Sequence, residues 1–188
     1  MAYAIEWQFD AVADAAVRRV WAALEAAGVP TPGREAGRPH LSLARCDAPD
    51  PAVLAGAAAR FARAASAFAI ELGALGVFAP EGWVYLAPLG SASLLERHAR
   101  VHAWLGRLAG DGAGVTVVHQ DSYAPGRWVP HCTLTTRLGP ALAARAVEVC
   151  LGAELPRTAR IERIGLTHYP PVTELHSFAL GTGGPSSR

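Results

Sequence analysis

Two short stretches carry side chains that could do chemistry together. Residues 38–46 read RPHLSLARC and residues 129–137 read VPHCTLTTR. In extended backbone, residues two apart share a face at a separation of roughly 6.6 Å. His40 and Ser42 therefore face one way while Leu41 and Leu43 face the other; His131 and Thr133 repeat this, with Cys132 and Leu134 opposite. One histidine beside a hydroxyl reads as an ordinary strand residue with a satisfied ring. Two copies, each preceded by proline (Pro39, Pro130), followed by leucine at the same offset and set half a chain apart, read as two parts of one cleft. Imidazole, with an ordinary pKa near 6.5, can serve as base or acid near neutral pH. A hydroxyl can donate to an oxygen on which negative charge develops.

The elements that must position these residues follow from patterning. Residues 3–9 alternate, with Ile5, Trp7 and Phe9 on one side and Glu6 and Gln8 on the other, a strand. Asp10 caps a helix through Val17, Val20, Trp21 and Leu24, stopped by Gly28, Pro30 and Pro32. A strand over 38–45 follows. Asp50-Pro51 opens a second helix. Strands over 68–78 and 82–89 are joined by a turn at Pro80-Glu81-Gly82, and Ser93 with Glu96 has capping-box spacing for a third helix. A short strand at 115–118, a strand at 131–136, a helix from Pro140 to near Gly152, and strands over about 158–168 and 174–181 complete the pattern. The class is α+β, and the spacing of the two histidine strands fits an internal duplication into two facing lobes.

Composition limits the chemistry. The 188 residues suffice for a single bilobal domain over 1–181, with a disordered tail expected at 182–188. Net charge is +1, so any phosphate recognition rests on a few local groups rather than a basic surface. All 17 basic residues are arginines. The absence of lysine excludes a lysyl-adenylate ligase, a Walker-type phosphate loop and a Schiff-base enzyme. Cys46, Cys132 and Cys150 are odd in number and form no C-x-x-C pair, which fits reduced thiols. The first ten residues lack the order of a signal peptide, and no uncharged apolar run reaches about 18 residues. A cytoplasmic protein without membrane association is expected.

The paired motifs His40-Leu41-Ser42-Leu43 and His131-Cys132-Thr133-Leu134, with the flanks LGVFAPEGWVYLAPL and YAPGRWVPHCTL, resemble the two-histidine (2H) phosphoesterases. The branch they resemble is the 2'-5' RNA ligase-like or cyclic phosphodiesterase one, over roughly residues 4–180. The resemblance implies a bilobal α+β fold, two pseudo-symmetric antiparallel sheets with helices outside and a central cleft. It implies metal-independent hydrolysis or transfer of 2'-linked or 2',3'-cyclic phosphodiesters in RNA ends, oligonucleotides or small nucleotides, with no cofactor and no obligate protein partner. His40 and His131 would be the catalytic acid and base, in either assignment, and Ser42 and Thr133 would hold the phosphate. The alternative is a nucleotide- or RNA-end-binding module that keeps the cleft without turnover.

Other residues have weaker claims. Arg127 and Arg38 could counter phosphate charge. Trp128, Tyr123 and Tyr85 could stack on a base or face the cleft. His98 and His102, four apart on the third helix, invite a metal, but no H-E-x-x-H pattern or third ligand accompanies them, so helix histidines of ordinary kind are expected. His119, His168 and His176 have no assigned part, although the last two could border the cleft. GDGAG at 110–114 reads as a plain turn.

Overall fold

In the computed structural model, which describes residues 2–33, 37–112, 114–118, 121–170 and 172–181, eight strands of the described residues form one hydrogen-bonded sheet. The strands are β1 (Ala2–Phe9), β2 (His40–Asp47), β3 (Phe68–Phe78), β4 (Trp83–Pro88), β5 (Thr116–Val118), β6 (Cys132–Thr133), β7 (Thr158–Tyr169) and β8 (Thr173–Ala179). Their order is β5-β2-β1-β7-β3-β4-β6, with β8 against β7. Every pairing is antiparallel. The helices are α1 (Ala11–Ala26), α2 (Pro51–Ala64), α3 (Ala92–Gly110) and α4 (Pro140–Gly152). Two sheet regions, one around each histidine strand, are continuous through β3: Phe68–Glu71 pairs with β7 and Leu72–Phe78 with β4. The expected tail at 182–188, and His119, lie outside the described residues.

Local signals explain most of the boundaries. Asp10 accepts from the N–H groups of Val12 (2.9 Å) and Ala13 (3.1 Å), capping α1, and its second oxygen takes Arg160 N at 2.6 Å, tying the helix start to β7. Burial pushes the Asp10 carboxyl up, but these donors outweigh it and hold it below the usual carboxylate range. Asp50 caps α2 through Ala52 N at 2.8 Å. The cap of α3 is Ser91, whose hydroxyl accepts from Leu94 N at 3.1 Å, rather than the expected Ser93; the helix begins earlier, so Ser93 lies within its first turn. At the β3–β4 turn Gly82 has φ +69°, and a Cβ there would collide with the Leu138 carbonyl.

The strand expected over 131–136 contracts to Cys132–Thr133 because its later backbone finds other partners. Leu134 N and Thr135 N both reach Val84 O, the Thr135 hydroxyl takes Val84 N at 2.9 Å, and Thr136 N goes to Pro30 O. A side chain there replaces a rung of the ladder.

The alternation in β1 puts Tyr3, Ile5, Trp7 and Phe9 in the core, packed with Val17, Leu24, Leu41 and Ile164. The polar face of β1 is buried as well, with Glu6 at 5% and Gln8 at 0% exposure. Gln8 fits because its neighbour on β7 is Gly165; a Cβ there would strike the Gln8 carboxamide. Gly165→Ala is therefore expected to destabilise the protein by about 1–3 kcal/mol in urea unfolding. Gly106→Ala, inside α3 with no atom within 4 Å of the added Cβ, should raise stability by about 1 kcal/mol.

Candidate active site

The two histidines are held in the same way. His40 Nδ1 donates to the carbonyl of Arg38 at 2.6 Å, and His131 Nδ1 donates to that of Val129 at 2.7 Å. Each bond spans two residues and fixes the tautomer. Nε2 is thereby left as the nitrogen of each ring that no backbone carbonyl holds. His40, Ser42, His131 and Thr133 all line one cleft of about 370 Å³, small for a ligand site but sufficient for a nucleotide-sized group. An adjoining pocket of about 340 Å³ shares His131, Arg45, Trp83, Tyr123 and Tyr169 with it. A larger cavity of about 850 Å³ lies between β3 and the end of α4, but it is lined mainly by leucines and contains no histidine or hydroxyl side chain.

A bulge in β2 shapes the cleft. The register against β1 runs Glu6↔Ser42 and then Ile5↔Ala44, skipping Leu43. Strict alternation from His40 and Ser42 would bring Ala44 to the cleft; the extra residue brings Arg45 instead, and Arg45 lines both pockets with its guanidinium 4.7 Å from the Tyr169 ring. The bulge leaves the Leu43 carbonyl outside the β1 ladder, where His98 Nε2 (3.2 Å) and His102 Nε2 (3.0 Å) donate to it. The two helix histidines are thus strand-edge partners. Burial, with His102 beside it, pushes His98 down to about 4, so it donates as a neutral ring.

Two indoles brace the motifs crosswise. Trp128, just before the second motif, donates from Nε1 to the Ser42 carbonyl at 3.0 Å; Trp21, on α1, donates to the Thr133 carbonyl at 3.2 Å. Trp128 is buried, stacked on His98 at 4.0 Å between centroids and edge-on to Trp7.

The model of the 2'-5' RNA ligase superfamily matches residues 10–171. The chain belongs to that superfamily, the two-histidine phosphoesterases. No curated protein matches it in sequence. Among solved structures, TT0787 of Thermus thermophilus is similar in fold, with TM-score 0.62 and 19% identity over 97% of this chain and 99% of that one. E. coli LigT complexed with 3'-AMP gives TM-score 0.55 and 18% identity over 95% and 97%. LigT complexed with NADP+ gives 0.54 and 16% over 95% and 96%.

Within this two-histidine phosphoesterase, the other residues singled out from sequence fall in different places. Arg38 lines the cleft and pairs with Glu174 at 3.3 Å. Tyr123 lines it too, and its hydroxyl shares a hydrogen bond with Ser42. Tyr85 packs edge-on to the His131 ring at 5.5 Å and does not itself line the cleft. Trp128 does not reach the cleft, because its indole is committed beneath β2. Arg127 is exposed and does not line the cleft either. His168 packs on Tyr3 and His176 on Phe178, neither in the cleft. Sequence reading missed Arg45, Arg137, Trp83 and Tyr169, which all line it.

Burial pushes the thiols of Cys46 and Cys132 up to about 12 and that of Cys150 up to about 11. All three are free and buried. The native protein should leave a disulfide-exchange reagent such as Ellman's unreacted, and unfolding should release three titratable thiols. Trp128→Phe removes the donor to Ser42 O and should cost about 1–3 kcal/mol in denaturant unfolding.

Proposed function

We propose that this phosphoesterase cleaves, or transfers, 2'-linked or 2',3'-cyclic phosphodiesters by acid–base catalysis between His40 and His131, without a metal. The observation that carries the reading is the matched pair of Nδ1 bonds to backbone carbonyls, which leaves two Nε2 atoms available in one cleft. One Nε2 takes the proton of the attacking oxygen and the other returns a proton to the leaving oxygen. Ser42 and Thr133, whose backbone carbonyls take the crosswise indoles, would donate to the non-bridging oxygens as charge grows there. Arg38, Arg45 and Arg137 add positive charge at the cleft in a chain whose net charge is only +1.

The substrate class follows from the same cleft. Arginines with Tyr123, Trp83 and Tyr169 suit a phosphate joined to a flat apolar group, as in a nucleotide. The complexes of LigT with 3'-AMP and NADP+ support that class. A chain with little net charge is better matched to small ligands or RNA ends than to long duplexes.

The test is a panel of 2',3'-cyclic nucleotides, 2'-5' dinucleotides and 3'-5' dinucleotides with product identification. Cleavage of the first two is expected, with a bell-shaped pH–rate profile and no loss of rate in EDTA. His40→Ala and His131→Ala should each lower kcat/KM by about 10²–10⁴-fold, with unchanged circular dichroism. Full activity in either variant rejects the mechanism. Tight binding of nucleotides without product would make the cleft a binding module.

A further inference from the structure

We propose that Glu6 is a positioning residue that makes His40 the proton donor of the reaction and leaves His131 as its base. This rests on the phosphodiesterase reading above. The Nδ1 bonds are alike in the two rings, but the surroundings of the two Nε2 atoms are not. His40 Nε2 stands 3.5 Å from Glu6 Oε1. Glu6 lies on β1, directly across the ladder from Ser42, and its other oxygen accepts the Thr167 hydroxyl from β7 at 3.0 Å. The carboxyl group is therefore fixed between two strands, close enough to act on the His40 ring through its charge while no hydrogen bond to it ties up the Nε2 proton.

His131 has no such partner among the described residues. Its ring is packed by Phe78 at 4.8 Å and Tyr85 at 5.5 Å. Glu81 lines the adjoining pocket without an ion pair to His131, and the neighbouring cation there is Arg45. Around Glu6 the other titratable groups are Glu174 from β8 and the Tyr123 phenol, and Arg38 reaches Glu174 from beside β2. Glu174 accepts from Gln8 Nε2 at 2.9 Å and pairs with Arg38 at 3.3 Å, so its charge is already answered. Burial and the other imidazole push His131 below its ordinary value, which favours the neutral ring a base requires. Burial pushes Glu6 up, and His40 is the leading influence drawing it back.

The step balances with these two nitrogens. A water or hydroxyl oxygen gives its proton to His131 Nε2 and bonds to phosphorus. The bond from phosphorus to the leaving ribose oxygen breaks, and that oxygen takes the proton from His40 Nε2. Solvent exchange then returns both rings to their starting forms.

The experiment is kcat/KM against pH for the full chain and for Glu6→Gln. It uses a 2',3'-cyclic nucleotide and a nucleoside phosphodiester with a p-nitrophenyl leaving group, which departs without a proton. In Glu6→Gln the basic limb should move down by about one pH unit while the acidic limb does not move. The cyclic nucleotide should lose on the order of tenfold in rate and the aryl ester about twofold or less. Glu6→Asp should restore part of the basic limb, and it carries the comparison if Glu6→Gln unfolds. Equal losses on both substrates, a moved acidic limb or an unmoved basic limb would overturn the assignment to Glu6. Absence of wild-type turnover on both substrates would instead reject the phosphodiesterase reading itself.

Discussion

Buried peptide groups must find hydrogen-bond partners, and the carbonyls behind the reactive residues find theirs in side chains. Ser42 O takes an indole from Trp128, Thr133 O takes one from Trp21, and Leu43 O takes two imidazoles from α3. The two motif strands are not paired with each other. What keeps them at a fixed separation is a direct bond between the His40 backbone and the Cys132 thiol together with this set of donors, reaching from an element tied to one half onto the backbone of the other. Loosening one brace would shift a motif hydroxyl within the cleft without altering either imidazole, and the geometry of a site is sensitive to small displacements.

The parts legible in the sequence were those written in local periodicity. The H-x-[ST] pairs, the core face of β1, and the aspartate caps of α1 and α2 all depend on a few adjacent residues. What was illegible depends on partners far along the chain. Nothing near Leu43 announces the bulge, since it arises in the pairing with β1, and so Arg45 was assigned no face. Glu6 and Gln8 look like the wet side of a half-exposed strand. They are covered only because β7 and β8 supply Gly165, Thr167 and Glu174 around them. Trp128 carried a signal, an aromatic ring beside the motif, but proximity in sequence pointed it at a ligand rather than at the opposite motif.

The charges at the cleft illustrate the difference between a global and a local field. A chain with net charge +1 gathers Arg38, Arg45 and Arg137 around one opening and answers Arg38 partly with Glu174. Guanidinium groups suit that place, since they keep their charge and present planar donors to phosphate oxygens. The histidine pair on α3, by contrast, is one of the most suggestive patterns in the sequence and is spent on backbone, both rings on Leu43 O and His98 on Tyr123 as well.

β3 belongs to both halves of the molecule. Its first part completes the sheet that carries β2, and its second part anchors the sheet that carries β6. An ancestral duplication, if it built this fold, has therefore lost its seam. A gene divided at its midpoint, inside α3, would encode one fragment whose β1–β2 and β3–β4 pairs lack the β7 that joins them, and another whose β5 and β6 lack their partner strands. The two motifs can be inherited, exchanged or redesigned only as one unit.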